Sequence, residues 1–348
     1  MENIRIRGVG TAVPKHVYSQ VDVRDVVNKV FCDGVDNLDR LLRVFDHLHI
    51  KQRHFVRELS WYLEKHTFAE SNAVFVETAV HLSCKAALNA MNRAGVRPEE
   101  IGGIVVVSST GLMTPSLDAF LIQELELPLT AVRLPLFGLG CSGGVAGLSR
   151  AAEISYSSGK PTLFIAVEIS SVTFQCNDLS KANLVGTSIF ADGAAALVIG
   201  EGNEGPEIAG SYHQLFADTY DIMGWDFTDS GMQVRFSRSI PAFVKTEIPA
   251  VLKAACRSWG ISFSEITSFV THPGGAKVLE AFSEVIGKPA ESLAASYDVL
   301  RNYGNMSSAT ILFVLESMLA GNAMKSGYTL MSSLGPGFSS DQVLLKIS

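Results

Sequence analysis

At 348 residues, with 47% hydrophobic and 18% charged side chains, the chain carries enough apolar content for a large core or for two domains of ordinary size. Its net charge of −7 argues against a broad face for nucleic acid or for an anionic membrane. The five cysteines show no zinc-ligand spacing, the N-terminus lacks an apolar signal segment, and no apolar run is long enough to span a bilayer. The expectation is a soluble, cytoplasmic chain without a disulfide framework, a structural metal or a membrane partner.

Residues 3–9 alternate and predict a strand that Pro14 ends. Residues 21–48 read as mostly helical. Arg43, Lys51, Arg53 and Arg57 then form a small basic cluster, either a seat for a phosphorylated ligand or an ordinary solvated face. Residues 72–95 predict a long helix ending in Ala94-Gly95. The apolar run from Ile101 to Gly111 predicts a strand with both faces covered.

The stretch from Leu134 to Leu148 predicts a buried strand, a sharp turn through Gly138 and Gly140, and a helix starting at or just after Cys141. A thiol placed there meets unpaired backbone N–H groups and the positive end of the helix dipole. That setting lowers a thiol pKa and favours the nucleophilic thiolate. The alternative is a buried structural cysteine in a glycine-rich turn.

The second half repeats the order of the first. Lys85-Ala-Ala-Leu88, Gly95, Ile101 and Thr110-Gly111 find counterparts in Lys253-Ala-Ala-Cys256, Gly260, Ile266 and His272-Pro-Gly-Gly275. Gly140-Cys141 precedes a helix and the strand 162–167, as Gly304-Asn305 precedes a helix and the strand 328–332. The offsets at Lys253, Ile266 and Asn305 are 168, 165 and 164 residues. Matched blocks in one order at one spacing predict a duplicated α/β unit, with halves 1–205 and 206–348 meeting at the glycine-rich turn 200–206. Under pseudo-two-fold symmetry, Cys141 and Asn305 would occupy equivalent helix starts. His272 would end the strand equivalent to the one leading to Thr110. Cys, His and Asn around one cleft suit acyl transfer: a thioester on the cysteine, proton exchange with the histidine, and an amide donor to an oxyanion.

Gly140-Cys-Ser-Gly-Gly144, Val185-Gly-Thr-Ser-Ile-Phe-Ala-Asp-Gly-Ala-Ala-Ala196, His272-Pro-Gly-Gly275, Tyr303-Gly-Asn-Met-Ser-Ser-Ala309 and Leu334-Gly-Pro-Gly-Phe-Ser339 together resemble the chalcone synthase-like, or type III polyketide synthase, family over essentially the whole chain. Trp61-Tyr-Leu-Glu-Lys-His66 and Ser108–Pro115 look closer to bacterial, alkylpyrone-type members. The resemblance implies a thiolase-like α/β fold of layers αβαβα, a homodimer, and no metal or bound cofactor. It implies that an acyl-CoA starter loads onto Cys141 and that malonyl-CoA loses CO2 beside His272 and Asn305. The enolate then extends the chain, which closes to a pyrone or resorcinol type ring. An acyl donor protein is a further partner to expect.

Other positions follow from the same resemblance. Phe190 matches a gatekeeper between a CoA tunnel and the cavity, and Val234 falls at the second gatekeeper, where a smaller side chain would admit a long or bulky starter. Trp225 replaces a cavity-lining glycine. Ser170, Thr173 and Ser307 match substrate-facing positions, and Thr114 matches a loop residue that reaches the partner subunit's cavity. Lys51 and Arg53 match the region that holds CoA phosphates. Three rivals remain at this stage: a single-condensation ketoacyl synthase III-like enzyme, a cysteine hydrolase using Cys, His and Asn in papain-like order, and a silent binding protein on the same fold.

Overall fold

The computed structural model describes residues 3–32 and 37–348, so the helical reading of 21–48 is tested except at 33–36, which lie outside the described residues. The first half contributes strands β1 (Ile4–Ala12), β2 (His16–Ser19), β3 (Gln52–Phe55), β4 (Gly103–Val107), β5 (Val132–Leu136), β6 (Thr162–Ile169) and β7 (Asp192–Glu201). Its helices are α1 (Gln20–Phe31), α2 (Leu38–Leu42), α3 (Phe68–Ala94), α4 (Leu117–Glu124), α5 (Gly143–Ser158) and α6 (Lys181–Ile189). The second half adds β8 (Glu207–Leu215), β9 (Met223–Thr228), β10 (Gly231–Phe236), β11 (Ile266–Thr271), β12 (Gly327–Gly335) and β13 (Ser339–Ile347). Its helices are α7 (Ile240–Trp259), α8 (Ala276–Ile286), α9 (Ala294–Tyr303) and α10 (Thr310–Ala320).

Nine strands form one sheet in the order β11-β12-β13-β8-β1-β7-β6-β4-β5. The order shows the duplication. From the centre outward, β1, β7, β6 and β4 answer β8, β13, β12 and β11, with β6–β4 and β12–β11 parallel and the inner pairs antiparallel. The halves join where Arg5 of β1 pairs Glu207 of β8.

Three of the four apolar clusters among the described residues lie between the sheet and its helices. Along β4, Val105 and Val107 enter the central core with Val145 and Leu148 of α5 and Ile311 and Val314 of α10. Ile104 and Val106 point the other way, onto Phe75, Ala79 and Leu82 of α3. This is why the strand is apolar at every position. On the second half, α7 and α8 close a third core with Ile248, Leu252, Leu279 and Phe282. The result is the layered αβαβα arrangement of a thiolase-like fold. No helix among the described residues is long and apolar enough to cross a membrane.

Two expectations need correction. The strand ahead of Cys141 is not buried: β5 is the outer edge of the sheet, pairs with β4, and exposes Val132 and Arg133 in the single chain. Pro135 within it has no N–H to donate and fits an edge position. Nor do Cys141 and Asn305 occupy equivalent points. Cys141 sits two residues before α5, within the tight turn Gly140–Ser142, whereas Asn305 sits five residues before α10. The extra residues let Asn305 reach across to the first half, where it forms a parallel bridge with Phe190.

Candidate active site

The helix that follows Cys141, α5, approaches the second half closely because of its glycines. A Cβ at Gly144 would lie 2.4 Å from the carbonyl oxygen of Ser308. This contact brings Sγ of Cys141 to 3.6 Å from Oγ of Ser307. Ser307 adopts φ +46°, a left-handed conformation that costs a non-glycine residue about 1 kcal/mol or more. In that conformation its N–H donates to Oδ1 of Asn305 at 2.8 Å. With Oδ1 occupied, the amide nitrogen is the free end; Nδ2 donates to the carbonyl of Gly274 at a long 3.3 Å. Gly274 belongs to the loop that begins at His272, so one amide ties the two halves of the constellation together.

His272 follows β11 directly and is held by its backbone N–H donating to Ser332 O at 3.0 Å. Its ring is buried, and among the described residues neither Nδ1 nor Nε2 has a hydrogen-bond partner. Cys141, His272 and Asn305 line one cavity of about 460 Å³ with Met223, Phe236, Ile240, Val278 and Phe282. The structure therefore brings the three sequence-predicted chemical groups together in an apolar chamber.

The electrostatics reverse the sequence expectation for the thiol. Burial pushes Cys141 up to about 12; the side-chain hydrogen bonds from Ser307 and Asn305 oppose the rise, and the nearby Glu168 adds to it. Burial also pushes His272 down to about 3. The helix start does not outweigh desolvation here, since a dry chamber penalises every isolated charge. Burial thus favours the neutral thiol and the neutral imidazole over either isolated charge.

The pocket residues gather around a second cavity. Ser170, Thr173, Phe190, Trp225 and Val234 line a space of about 540 Å³ walled by Val23, Val26, Val27, Phe55 and Phe174. Phe190 stands between the two chambers: its ring centroid is 6.1 Å from Trp225 on one side and 5.9 Å from Phe236 on the other. Thr114 is exposed and lines neither cavity.

Lys51 and Arg53 part company. Lys51 is exposed, but Arg53 is fully buried, its guanidinium donating to the carbonyls of Thr187 and Phe190 and to Gln20 Oε1. Arg53 has no surface to offer a phosphate, which corrects its assignment to CoA binding. In β3 the three consecutive residues Arg53, His54 and Phe55 are all buried, so both faces of the strand are covered there. Arg57 is paired with Glu77 at 3.1 Å. Of the basic cluster, Arg43 and Lys51 are left exposed and without an ion-pair partner among the described residues, with Arg40 one turn ahead of Arg43.

Sequence reasoning missed Glu168. It is fully buried on β6 and accepts from Ser109 N–H at 3.0 Å, Thr110 Oγ1 at 2.9 Å and Ser308 Oγ at 2.6 Å, so it stitches the two halves beneath Cys141. Burial pushes its carboxyl up to about 7. The available signal was an acidic residue inside an otherwise apolar strand.

Comparisons with known proteins agree with this arrangement. The profile of the chalcone and stilbene synthase N-terminal domain matches residues 3–203, and that of the C-terminal domain matches residues 207–348. The chain is 37% identical to a putative chalcone synthase of Bacillus subtilis, over 97% of each chain. It is 29% identical to the alpha-pyrone synthesis polyketide synthase-like Pks18 of Mycobacterium tuberculosis, over 98% of this chain and 91% of that one. The crystal structure of 1,3,6,8-tetrahydroxynaphthalene synthase from Streptomyces coelicolor A3(2), a bacterial type III polyketide synthase, superposes with a TM-score of 0.94 at 26% identity, covering 98% of this chain and 99% of that one. Both halves, in order and nearly end to end, place this chain in the chalcone and stilbene synthase family, as an acyltransferase of the type III polyketide synthase class.

Proposed function

We propose that the enzyme loads a fatty or similar acyl group from a CoA thioester onto Cys141, extends it with malonyl-CoA, and closes the product to a pyrone or resorcinol type ring. The observation that carries this reading is that His272, with both ring nitrogens unpaired among the described residues, and the Asn305 amide share one apolar chamber with a buried thiol, where burial favours the neutral imidazole.

The chemistry follows from that neutrality. Neither Cys141 nor His272 holds a charge alone in the chamber, so the thiol proton passes to His272 as Sγ attacks the thioester carbonyl. The imidazolium returns that proton to the departing CoA sulfur. His272 is again neutral and, with Asn305 Nδ2, can donate to the thioester oxygen of malonyl-CoA. The apolar walls disfavour the malonyl carboxylate relative to neutral CO2. As the C–C bond breaks, its electron pair moves toward the thioester oxygen, where the two donors meet it. The enolate carbon then attacks the acyl-Cys141 carbonyl, the extended chain leaves as its CoA thioester, and the expelled sulfur takes a proton from His272, which solvent replaces, so that Cys141 is a thiol again for another cycle.

The second cavity, apolar and beyond Phe190, suits the aliphatic part of a starter, and Val234 leaves its wall open where a phenylalanine would narrow it. Arg43 and Lys51 supply cations for CoA phosphates, as point charges suit them. The open edge β5 and half-exposed Phe137 and Phe227 support a homodimer in which the loop at Thr114 serves the partner's cavity. The alpha-pyrone relative favours a pyrone among the ring types.

The test is mass spectrometry of products from purified enzyme, malonyl-CoA and a ladder of acyl-CoA starters. Starter-dependent masses with added C2 units, less water on ring closure, are the expected result. Acylated Cys141 with only a linear, singly extended product would favour the single-condensation enzyme. An unmodified Cys141 with every donor would overturn the reading.

A further inference from the structure

The burial of Arg53 removes it from the CoA site and gives it another place. Helix α6 ends beneath the gate ring, and the last carbonyls of a helix have no partner within it. Here they are met by two side chains from outside. Arg53 Nη1 donates to the carbonyls of Thr187 and Phe190, the latter at 2.8 Å. Gln20 Nε2 donates to the carbonyl of Ser188 at 2.8 Å, and Gln20 Oε1 accepts from Arg53 Nε at 3.0 Å. The one carbonyl this pair leaves, Ile189 O, accepts the backbone N–H of Asn305 at 2.9 Å, and Asn305 O accepts from Ala191 N–H at 2.9 Å. The stem of Arg53 also lies against the residue before Asn305: a Cβ on Gly304, which sits at φ +72°, would be 2.8 Å from Arg53 Cγ. The buried Asp192 carboxyl, when ionised, favours the Arg53 charge.

We propose that Arg53, assisted by Gln20, is a positioning residue for decarboxylation. It pins the end of α6 so that the Asn305 backbone is held on both sides of Phe190 and the Asn305 amide meets the thioester oxygen of malonyl-CoA. Arg53 touches neither substrate nor Cys141. The proposal rests on the reading of Asn305 as the decarboxylation donor. A displacement of order 1 Å at such a donor costs about 100-fold in rate, whereas loading of Cys141 passes its proton to His272 and draws on the Asn305 amide only as a lesser partner of the thiol.

The experiment uses full-length enzyme carrying Arg53→Met, Arg53→Lys, Gln20→Met or, as a control, Asn305→Ala. Three quantities are read: acylation of Cys141 by an acyl-CoA, CO2 release from malonyl-CoA, and the thermal midpoint. Arg53→Met should keep Cys141 acylation within about twofold while CO2 release falls about 100-fold. Arg53→Lys keeps the charge beside Asp192 but has no second nitrogen for Gln20 Oε1 and a shorter reach to the carbonyls of Thr187 and Phe190, and should lose nearly as much. Gln20→Met should show a smaller loss of the same selective kind. Equal loss of acylation and CO2 release in these variants would mark a merely structural arginine and overturn the proposal. So would wild-type CO2 release in Arg53→Lys. If Arg53→Met does not fold, Gln20→Met and Arg53→Lys carry the same decision. If Asn305→Ala releases CO2 at the wild-type rate, the reading of Asn305 fails instead, and the two failures are told apart.

Discussion

Phe190 and Asn305, one from each half of the chain, lie side by side in a parallel bridge, so the ring that divides the two cavities and the amide that faces malonyl-CoA share one backbone frame. The frame leaves Asn305 Nδ2 as the only part of that amide free to respond to a ligand. Asn305→Ala should therefore retain Cys141 acylation and lose malonyl-CoA decarboxylation by a factor of about 10²–10³, the usual effect of deleting one oxyanion donor. Measuring CO2 release and acyl-enzyme formation on the same preparation checks this. Parallel loss of both would contradict it.

A thiol pushed up to about 12 has a distinctive pH response. Alkylation follows the thiolate fraction. In the ligand-free enzyme, labelling of Cys141 by iodoacetamide should rise about tenfold per pH unit from pH 7 to 10, without a plateau. Peptide mapping separates it from exposed Cys32. A plateau near pH 6 would instead reveal a resting thiolate–imidazolium pair, as the helix start alone suggests.

Cys141, His272 and Asn305, which share one cavity, and Ser170, Thr173, Phe190, Trp225 and Val234, which share the other, were all legible in short motifs whose glycines and order carry information, whereas Thr114 lies at neither cavity. Trp225 and Val234 gather at the second cavity as expected, being neighbours across the β9–β10 pair. What stayed hidden is set by burial rather than by order. Arg53 reads as one more cation in a basic run until its strand places it inward. The thiol pKa depends on how completely the chamber is closed, and local spacing does not report that. Glu168 acquires its role only when Ser109 and Ser308, distant in the chain, are folded onto it.

Two buried carboxyls make stability depend on pH in an unusual sense. Burial raises Glu168 from 4.5 and Asp192 from 3.8, each to about 7. The folded state binds these protons more tightly than the unfolded chain, so stability is greatest below the unfolded pKa values. It declines as pH rises toward about 7. The contribution of these groups to the thermal midpoint should thus fall from pH 5 to pH 8. Glu168→Gln keeps an oxygen for Ser109 and Thr110 and can donate to Ser308, whose hydroxyl turns to accept. That variant should flatten the decline. A decline as steep as the wild type, followed by calorimetry across this range, would remove Glu168 as its source.

Starter length should respond to Val234. It lines the apolar cavity opposite Gly186, where a Cβ would already lie 3.1 Å from Val234 Cγ1. A phenylalanine there has to take room from the bound chain. Each methylene denied burial costs about 0.8 kcal/mol, so exclusion of two weakens transition-state binding by roughly 15-fold. Val234→Phe should lower kcat/KM for long acyl-CoA starters by about that factor or more for each such pair of methylenes, while short starters keep theirs. Competition between two starters of different length in one reaction, read by product mass, gives the ratio directly. An unchanged ratio would mean that the aliphatic tail lies elsewhere and that the space beyond Phe190 serves the growing chain instead.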